Sequence, residues 1–586
     1  MVSLGSFRER PLGAVLSGLV PVPIRESRPS VIFCVCAFTL ICSLLLGGGT
    51  RGGFLSDAIL ELIAIPAFLI ALSSLGGLPV WRTKTRTEMY RVLAFCFAIA
   101  LLPIIQLVPL PPWIWTGLPG REQMVKVFDL LGGVAPWMPI SVSPHATWLS
   151  FLSLLPPMAI FLAAIQLSYR ERRGLSLVIL AVGVVSVFVG LTQVAEGPAS
   201  SLRFYTITND TEAVGFFANR NHFAALLYAV LLFAAVWAID TGFKAGSWTD
   251  VRSFEAATIV TLTAIFMILI VVIAGEAMAR SRAGLALTIV ALVAVFALAF
   301  TDRRSAPGAT PSKLLVAATI LAVILSVQFA LYRILDRFAT DPTEDARITF
   351  AHNTIQAAKA FMPFGSGLGT FVPVYATFER PGDTIANTYA NHAHNDFLEL
   401  WLETGVMGPV LLCLFTVWLG FSIAKLWRRP ATETSAFDCA LGRAATVVIG
   451  LLMAHSFVDY PMRTEAIMAI FAVCCALVIE PLRGDEGGIR IAAEPGRAAV
   501  RLRHAAKAPA YAVAPSSLLS APSSPATGTA NPPQRLPAAG GRWGDEIDWP
   551  EEWQNSGEQK RSAPATPESD AASTPGSDPK KAPGSV

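Results

Sequence analysis

Two histidines lie in a polar stretch, residues 391–405, whose sequence is NHAHNDFLELWLETG. A histidine side chain exchanges a proton near neutral pH and is the commonest general base in enzymes. If residues 394–404 are helical, Asn395, Glu399 and Glu403 share one face, because they are four residues apart. His394 then stands at the N-terminus of that helix. We therefore expect His394 to be a catalytic base, with Asn395 and Glu399 orienting it or its substrate.

Two other roles remain open for these histidines. The first is structural, and in it hydrogen bonds hold the ring of either histidine in place. A metal site would use His392 and His394 together, but side chains two residues apart on a helix point away from each other. The sequence offers no clear third ligand nearby, and a metal needs at least three protein ligands. A metal site is therefore disfavoured.

The histidines end a long predicted loop, residues 333–405. Most connections in compact proteins have only ~4–6 residues, and much longer ones are either functional or disordered. Aromatic residues and paired histidines are not typical of disorder. Residues 333–362 predict one or two amphipathic helices. The three alternating glycines within residues 363–371 predict a tight backbone turn; they lack the strand and the Lys-Ser/Thr pair of a nucleotide-binding loop.

The composition indicates a membrane protein. Hydrophobic residues make up 53% of the chain and charged residues 15%, whereas soluble domains carry roughly 25% charge. Apolar runs long enough to cross a bilayer recur along the chain. We predict an all-α integral membrane protein with about 12 transmembrane helices, at roughly 31–48, 55–76, 91–110, 147–168, 175–195, 221–239, 257–275, 283–300, 313–332, 406–424, 440–458 and 465–481.

Charge patterning predicts the orientation. Lys and Arg gather in alternate connections, which places both termini in the cytoplasm. Residues 1–30 form a cytoplasmic leader before a retained first helix. The predicted outer loops are then 111–146, 196–220, 276–282, 333–405 and 459–464, the first of them as an interfacial element. Residues 484–586, rich in Ala, Pro, Ser and Gly, predict a disordered cytoplasmic tail. The net charge of +3 is too small to indicate a nucleic-acid partner.

The predicted outer loops carry arginines against this bias: Arg203, Arg220, Arg280, Arg282 and Arg463. An arginine held near the membrane needs an anionic partner, because its desolvation is costly. A diphosphate fits, since the guanidinium binds phosphate oxygens in a bidentate manner. In the alternative, these arginines extend to lipid headgroups or pair with the nearby carboxylates of Glu276, Asp210 or Glu212.

Four short motifs occur in order between residues 200 and 480. They are NRNHFA from residue 219, RSRAG from residue 280, HNDFLELWLETG from residue 394 and HSFVDYPMR from residue 455. Each is weak alone, but their order and spacing resemble those of the O-antigen ligase and O-antigen polymerase superfamily of bacterial inner-membrane glycosyltransferases. Ala283 is one departure, since many relatives have glycine there.

The resemblance implies a metal-independent, inverting glycosyltransferase of GT-C-like fold that uses no cofactor. Its donor would be a glycan on undecaprenyl diphosphate, and its acceptor a lipid core sugar, another lipid-linked glycan or a protein hydroxyl. The active site would lie on the periplasmic side. By the same resemblance, His394 removes the proton of the acceptor hydroxyl, and Arg220 and Arg282 hold the diphosphate. Arg280 and Arg463 are second choices for that role.

Ligase and polymerase activities share these motifs, so the sequence leaves the choice open. We lean to polymerisation of O-antigen or exopolysaccharide, because the tail is a candidate docking site for a chain-length regulator. A transporter or flippase of lipid-linked glycans is the alternative. It predicts charged residues along a path through the spans, but only Asp57, Glu61 and a few others lie there. That distribution favours surface chemistry.

Overall fold

The computed structural model describes residues 30–50, 52–76, 83–206, 208–244, 256–303, 343–383, 389–428 and 435–481. Most of the predicted leader, the predicted span at 313–332 and the predicted tail at 484–586 lie outside these ranges and stay predictions. Within them the chain is helical, and its β-structure is one isolated antiparallel bridge between Leu110 and Met138. The predicted all-α fold class is confirmed for this part of the chain.

The helices follow the predicted order closely. They are α1 (Val31–Leu46), α2 (Leu55–Gly76), α3 (Thr83–Leu107), α4 (Pro112–Trp115), α5 (Glu122–Leu130), α6 (Pro144–Leu152), α7 (Leu155–Ala164), α8 (Tyr169–Glu196), α9 (Arg220–Lys244), α10 (Ala256–Ala279), α11 (Arg282–Arg303), α12 (Thr343–Ala360), α13 (Phe371–Phe378), α14 (Asp396–Thr404), α15 (Met407–Trp427), α16 (Ala436–His455) and α17 (Glu465–Val478). A 3₁₀ turn at Pro461–Arg463 precedes α17.

Seven apolar segments are long enough to cross a membrane by length and composition: α2, α3 from Met89, α6 with α7, α8, α9 up to Thr241, α15 and α16. Four shorter apolar helices lie in α1, α10, α11 and α17. These segments coincide with the predicted spans, apart from the one at 313–332. The chain is a multi-pass membrane protein, and the total of about 12 spans stays a prediction.

Helix α9 forms the centre of the helical bundle. In its apolar window 94% of the residues are buried, as expected for a helix that is hydrophobic on all sides. It packs against α8, α10, α11 and α16. A Cβ added at Gly284 would clash with Ala224, so glycine lets the start of α11 lie directly on α9. This close approach brings the connection before α11 to the connection before α9.

A second, smaller core supports the histidine stretch. Helices α12, α13 and α14 pack around Phe350, Phe371, Tyr375 and Leu402. Helix α12 confirms the helix predicted within 333–362, as far as that segment is described. The predicted helix in the histidine stretch is also confirmed as α14.

The glycine run forms the predicted tight turn. Gly365, Gly367 and Gly369 all have positive φ, at 80°, 112° and 79°, a conformation that glycine adopts without steric cost. The amide of Gly367 donates to the Glu403 carbonyl over 2.9 Å, and the amide of Ser366 donates to the Leu402 carbonyl over 3.0 Å. The turn therefore supplies donors to carbonyls at the C-terminal end of α14, where no further turn of the helix follows, and Gln106 Nε2 also donates to the Glu403 carbonyl over 2.8 Å.

Candidate active site

Asn395 fixes the start of helix α14. Its side-chain oxygen accepts hydrogen bonds from the amides of Phe397 and Leu398, at 3.0 and 3.1 Å. Its Nδ2 donates to the Phe457 carbonyl over 3.0 Å. Asparagine is among the best residues for this capping position. The contacts assign Asn395 to positioning the turn, and they do not place its amide against the His394 ring.

His394 immediately precedes this cap and has a φ of 50°. A residue other than glycine rarely adopts that conformation, which costs of order 1–3 kcal/mol and is concentrated at active sites. The cap and the carboxylate described next hold the residue there. The structure therefore fixes the direction in which the imidazole points.

The ring of His394 binds Asp459. Its Nδ1 lies 3.1 Å from Asp459 Oδ1, and the histidine side chain is 21% exposed while the aspartate is fully buried. When Nδ1 donates to the carboxylate, Nε2 carries the lone pair, and the carboxylate stabilises the imidazolium that forms on proton uptake. Nε2 makes no hydrogen bond to any residue in the described ranges. In this arrangement the lone pair of Nε2 is open to a proton from a substrate.

Asp459 is held by Asn221, at the start of α9, and by the amide of its chain neighbour Tyr460. Asn221 Nδ2 donates to Asp459 Oδ2, and the Tyr460 amide donates to Oδ1 over 3.0 Å. Ser281 Oγ in turn donates to Asn221 Oδ1 over 2.8 Å. Burial alone would raise the pKa of the Asp459 carboxyl, but the hydrogen bond from His394 and the charges of nearby histidines hold it well below its ordinary value. Asp459 therefore stays anionic.

This network brings the four sequence motifs together at one end of the bundle. His394, Asp459, Asn221 and Ser281 each come from a different motif and form one hydrogen-bonded chain. Pairs so far apart along the chain meet because the connections before α9 and α11 pack against the one before α17. The arginines predicted to bind phosphate are chain neighbours of this network.

Those arginines differ in their surroundings. Arg220 pairs with Glu212, Nη1 to Oε1 at 2.7 Å, which is the alternative partner that the sequence offered. Arg280 has a φ of 51°, is partly exposed, and makes no hydrogen bond or ion pair with the described part of the chain. Arg282 opens α11 and is partly buried. None of the three donates a hydrogen bond to His394.

Arg463 is held by carboxylates of α14. Its Nη1 lies 2.6 Å from Glu403 Oε2 and 3.5 Å from Glu399 Oε1, and its Nε lies 3.6 Å from Asp396 Oδ1. Burial alone would lower the pKa of the guanidinium, but these carboxylates raise it. A phosphate would have to compete with all three. The geometry therefore favours positioning of α14 over the phosphate binding predicted for Arg463.

The three carboxyls respond differently to this shared cation. Burial raises the pKa of Asp396 to about 7 and that of Glu403 to about 7, with Arg463 opposing the shift in both. Burial would also raise the pKa of Glu399, but Arg463 and His392 lower it to about 2. Glu399 is therefore the firmly ionised member of the cluster.

His392 takes the structural role. Its Nδ1 lies 2.8 Å from Glu399 Oε1, and its Nε2 lies 2.8 Å from the Thr50 carbonyl. Burial alone would lower the pKa of His392, but Glu399 raises it. Glu399 also accepts a hydrogen bond from the Ala393 amide over 2.9 Å. Glu399 thus orients the loop before His394 and not the His394 ring itself.

Tyr460 is a site residue that the sequence analysis did not single out. Its ring centre lies 4.2 Å from that of His392 and 4.9 Å from that of His394. Its hydroxyl lies 3.3 Å from the side-chain nitrogens of both Asn219 and Asn391. Tyr460 and Asp459 both lie in the quoted motif at 455–463, but nothing in that motif says which distant residue each one meets.

Residues 262–413 match the family model described as O-antigen ligase. The match covers less than half of the chain and supports an O-antigen ligase or polymerase family assignment. It confirms the resemblance carried by the motifs and indicates a role of the ligase or polymerase type in polysaccharide assembly. The matched stretch contains Arg280, Arg282 and His394, whereas Arg220 and Asp459 lie outside it. A search of curated proteins gave no match.

Proposed function

We propose that this O-antigen ligase family member is a metal-independent, inverting glycosyltransferase of the bacterial inner membrane. It transfers a glycan from undecaprenyl diphosphate to a sugar hydroxyl on the periplasmic side. The observation that carries the proposal is the contact between His394 and Asp459. His394 Nδ1 lies 3.1 Å from Oδ1 of the buried Asp459 carboxylate, and His394 Nε2 makes no hydrogen bond to the described residues. Such a pair serves a reaction in which a hydroxyl must lose its proton as it attacks.

The proposed reaction is a single displacement. The acceptor hydroxyl oxygen bonds to the anomeric carbon while its proton moves to His394 Nε2. The bond between that carbon and the diphosphate oxygen breaks, and undecaprenyl diphosphate leaves with the electron pair. Attack opposite to the leaving group inverts the configuration. Asp459 stabilises the imidazolium, which later returns its proton to solvent.

The leaving diphosphate carries negative charge that must be stabilised. Arginine does so through charge-assisted, bidentate hydrogen bonds. We place Arg280 first, because its guanidinium has no ion pair within the described ranges, followed by Arg282. Arg220 already pairs with Glu212, so we expect it to contribute less to diphosphate binding than the sequence predicted.

The distribution of charge along the chain supports the periplasmic location. Lys and Arg in alternate connections favour an orientation in which the His394 loop lies outside the cytoplasm. There the diphosphate linkage itself supplies the energy for transfer. Membrane lipids surround the donor, and a chain-length regulator is a candidate partner if the protein is a polymerase.

The test is reconstitution of the purified protein with a polyprenyl-diphosphate-linked oligosaccharide, followed by gel analysis of the products. A ladder of lengthening glycans is expected from a polymerase, and a single transfer onto an added lipid or peptide acceptor from a ligase. His394→Ala should lower the rate by about 10²–10⁴-fold. His352→Ala is the matched control, since His352 is an exposed histidine on α12. Equal rates in the native protein and His394→Ala would remove His394 from the mechanism.

A further inference from the structure

A cavity of about 820 Å³ lies between α2, α3, α7, α15 and α17. Asn391 and His392 line it, whereas His394, Asp459 and the arginines Arg220, Arg280 and Arg282 do not. The histidine loop therefore lines the cavity with His392 and joins the network of Asp459 with His394. The site has two sides, the cavity on one and the arginine-flanked network on the other.

The cavity is long and mostly apolar. Glu465 and Cys475 both line it from α17, and their separation of ten residues corresponds to about 15 Å along a helix. Towards the Cys475 end the walls include Phe95, Phe415 and Phe471. A space of this length and polarity suits a hydrocarbon chain.

The other end of the cavity carries acidic side chains. Asp57 and Glu61 are four residues apart on α2 and share a face, and Glu465 is the first residue of α17. Their exposed fractions are only 9%, 9% and 6%. Glu465 Oε2 is buried and has no hydrogen-bond partner among the described residues, and the Glu61 carboxyl makes no hydrogen bond there either. Asp57 accepts a hydrogen bond from the Phe54 amide over 3.1 Å.

A buried carboxyl without a partner is costly in either protonation state, and a hydroxyl satisfies it in both, because a hydroxyl donates and accepts. A phosphate fits less well, because it brings further negative charge beside three acidic side chains. Arg463 also lines the cavity, but three carboxylates of α14 already surround it. Arg91 is a further cation of the lining and is exposed. An uncharged head group with several hydroxyls matches the acidic end.

We propose that this cavity binds the acceptor as a glycolipid without a phosphate next to its sugars. The sugar hydroxyls lie against Glu61 and Glu465, and the hydrocarbon chain extends towards Cys475. That the bound glycolipid is the acceptor rests on the proposed function. His394 follows His392 by two residues, so a sugar at this end of the cavity lies beside the loop that presents the base. The donor diphosphate then approaches from the side of the arginines.

The test measures binding without turnover. The full-length protein is placed in lipid nanodiscs free of sugar-based detergent, and native mass spectrometry compares a neutral dihexosyl diacylglycerol with phosphatidylglycerol of the same acyl chains. We expect the native protein to favour the glycolipid. Glu61→Met and Glu465→Met keep the side-chain length but remove the acceptor oxygens, and each should weaken glycolipid binding about tenfold. Asp129→Asn, an exposed carboxylate, is the matched control.

Folding is checked by thermal unfolding. Removal of an unpartnered buried carboxyl should leave the midpoint unchanged or raise it, so weaker binding would not reflect misfolding. Equal binding of the two lipids by the native protein, or unchanged glycolipid binding in both variants, would overturn the proposal. A polyprenyl diphosphate is measured in the same way as a third lipid. Loss of its binding in the variants, with glycolipid binding retained, would assign the cavity to the donor and also overturn the proposal. Glycolipid binding without any glycan transfer would keep this site and refute the proposed function.

Discussion

The Asp459→Asn variant tests the proposed base most directly. Asn has nearly the same shape as Asp, so it can still fill the buried position. The negative charge that faces His394 Nδ1 is lost. The ring nitrogen and the carboxylate oxygen are 3.1 Å apart, and the aspartate is fully buried. Hydrogen bonds to charged groups contribute about 1.5–3 kcal/mol. Because the histidine is partly exposed, we expect a loss of transition-state stabilisation within that range and not above it.

At about 1.4 kcal/mol for each factor of ten, kcat should fall roughly 10- to 100-fold. The Michaelis constants for donor and acceptor should change little, because Asp459 acts through His394. The assay is the initial rate of glycan transfer in the reconstituted system, measured against each substrate in turn. Asp438→Asn is the matched control: Asp438 is also a buried aspartate, and it pairs with Arg173 over 2.6 Å. A kcat within twofold of native for Asp459→Asn would refute the role given to this pair.

Three further outcomes are expected. Arg280→Gln should raise the Michaelis constant for the donor about tenfold, with no change in thermal stability, because a charge-assisted contact to phosphate is lost; an unchanged constant would exclude Arg280. Asn395→Ala should destabilise the protein by about 0.5–2 kcal/mol in thermal unfolding and lower kcat, since the helix cap is lost; a kcat equal to native would separate the cap from catalysis. Burial raises the pKa of Asp396 to about 7, so the native state binds its proton more tightly than the unfolded chain. Thermal stability should therefore fall as the pH rises from 5 to 8, and less steeply in Asp396→Asn; parallel slopes would contradict this.

The spans, the order of the helices and the helix at the histidine stretch were predictable because they depend on local patterns. An apolar run of about 20 residues predicts a membrane helix whatever its neighbours are. Helix α14 begins at Asp396, directly after a good capping residue. The glycine run also predicted its own turn. Each of these inferences needs only neighbouring residues.

The partners within the site were harder to predict because they are distant in the sequence. Asn221 and Asp459 are 238 positions apart, and nothing in either motif indicates the pairing. Arg463 illustrates the same limit. A cation on the predicted outer side suggested phosphate binding, but the charge is matched by Asp396, Glu399 and Glu403. Only the packing of the turn before α17 against α14 reveals that match.

The two histidines show how the fold assigns different roles to similar residues. His392 uses both ring nitrogens, one on Glu399 and one on the Thr50 carbonyl, so it has no lone pair for a substrate. His394 uses only Nδ1 within the described part of the chain. Its backbone lies in the strained left-handed region, between the loop fixed by Glu399 and the cap formed by Asn395. If His394 is the proposed base, it is in position before the substrate arrives, so substrate binding does not have to supply the free energy of ordering it. The buried contacts of this short polar stretch are what hold the ring there.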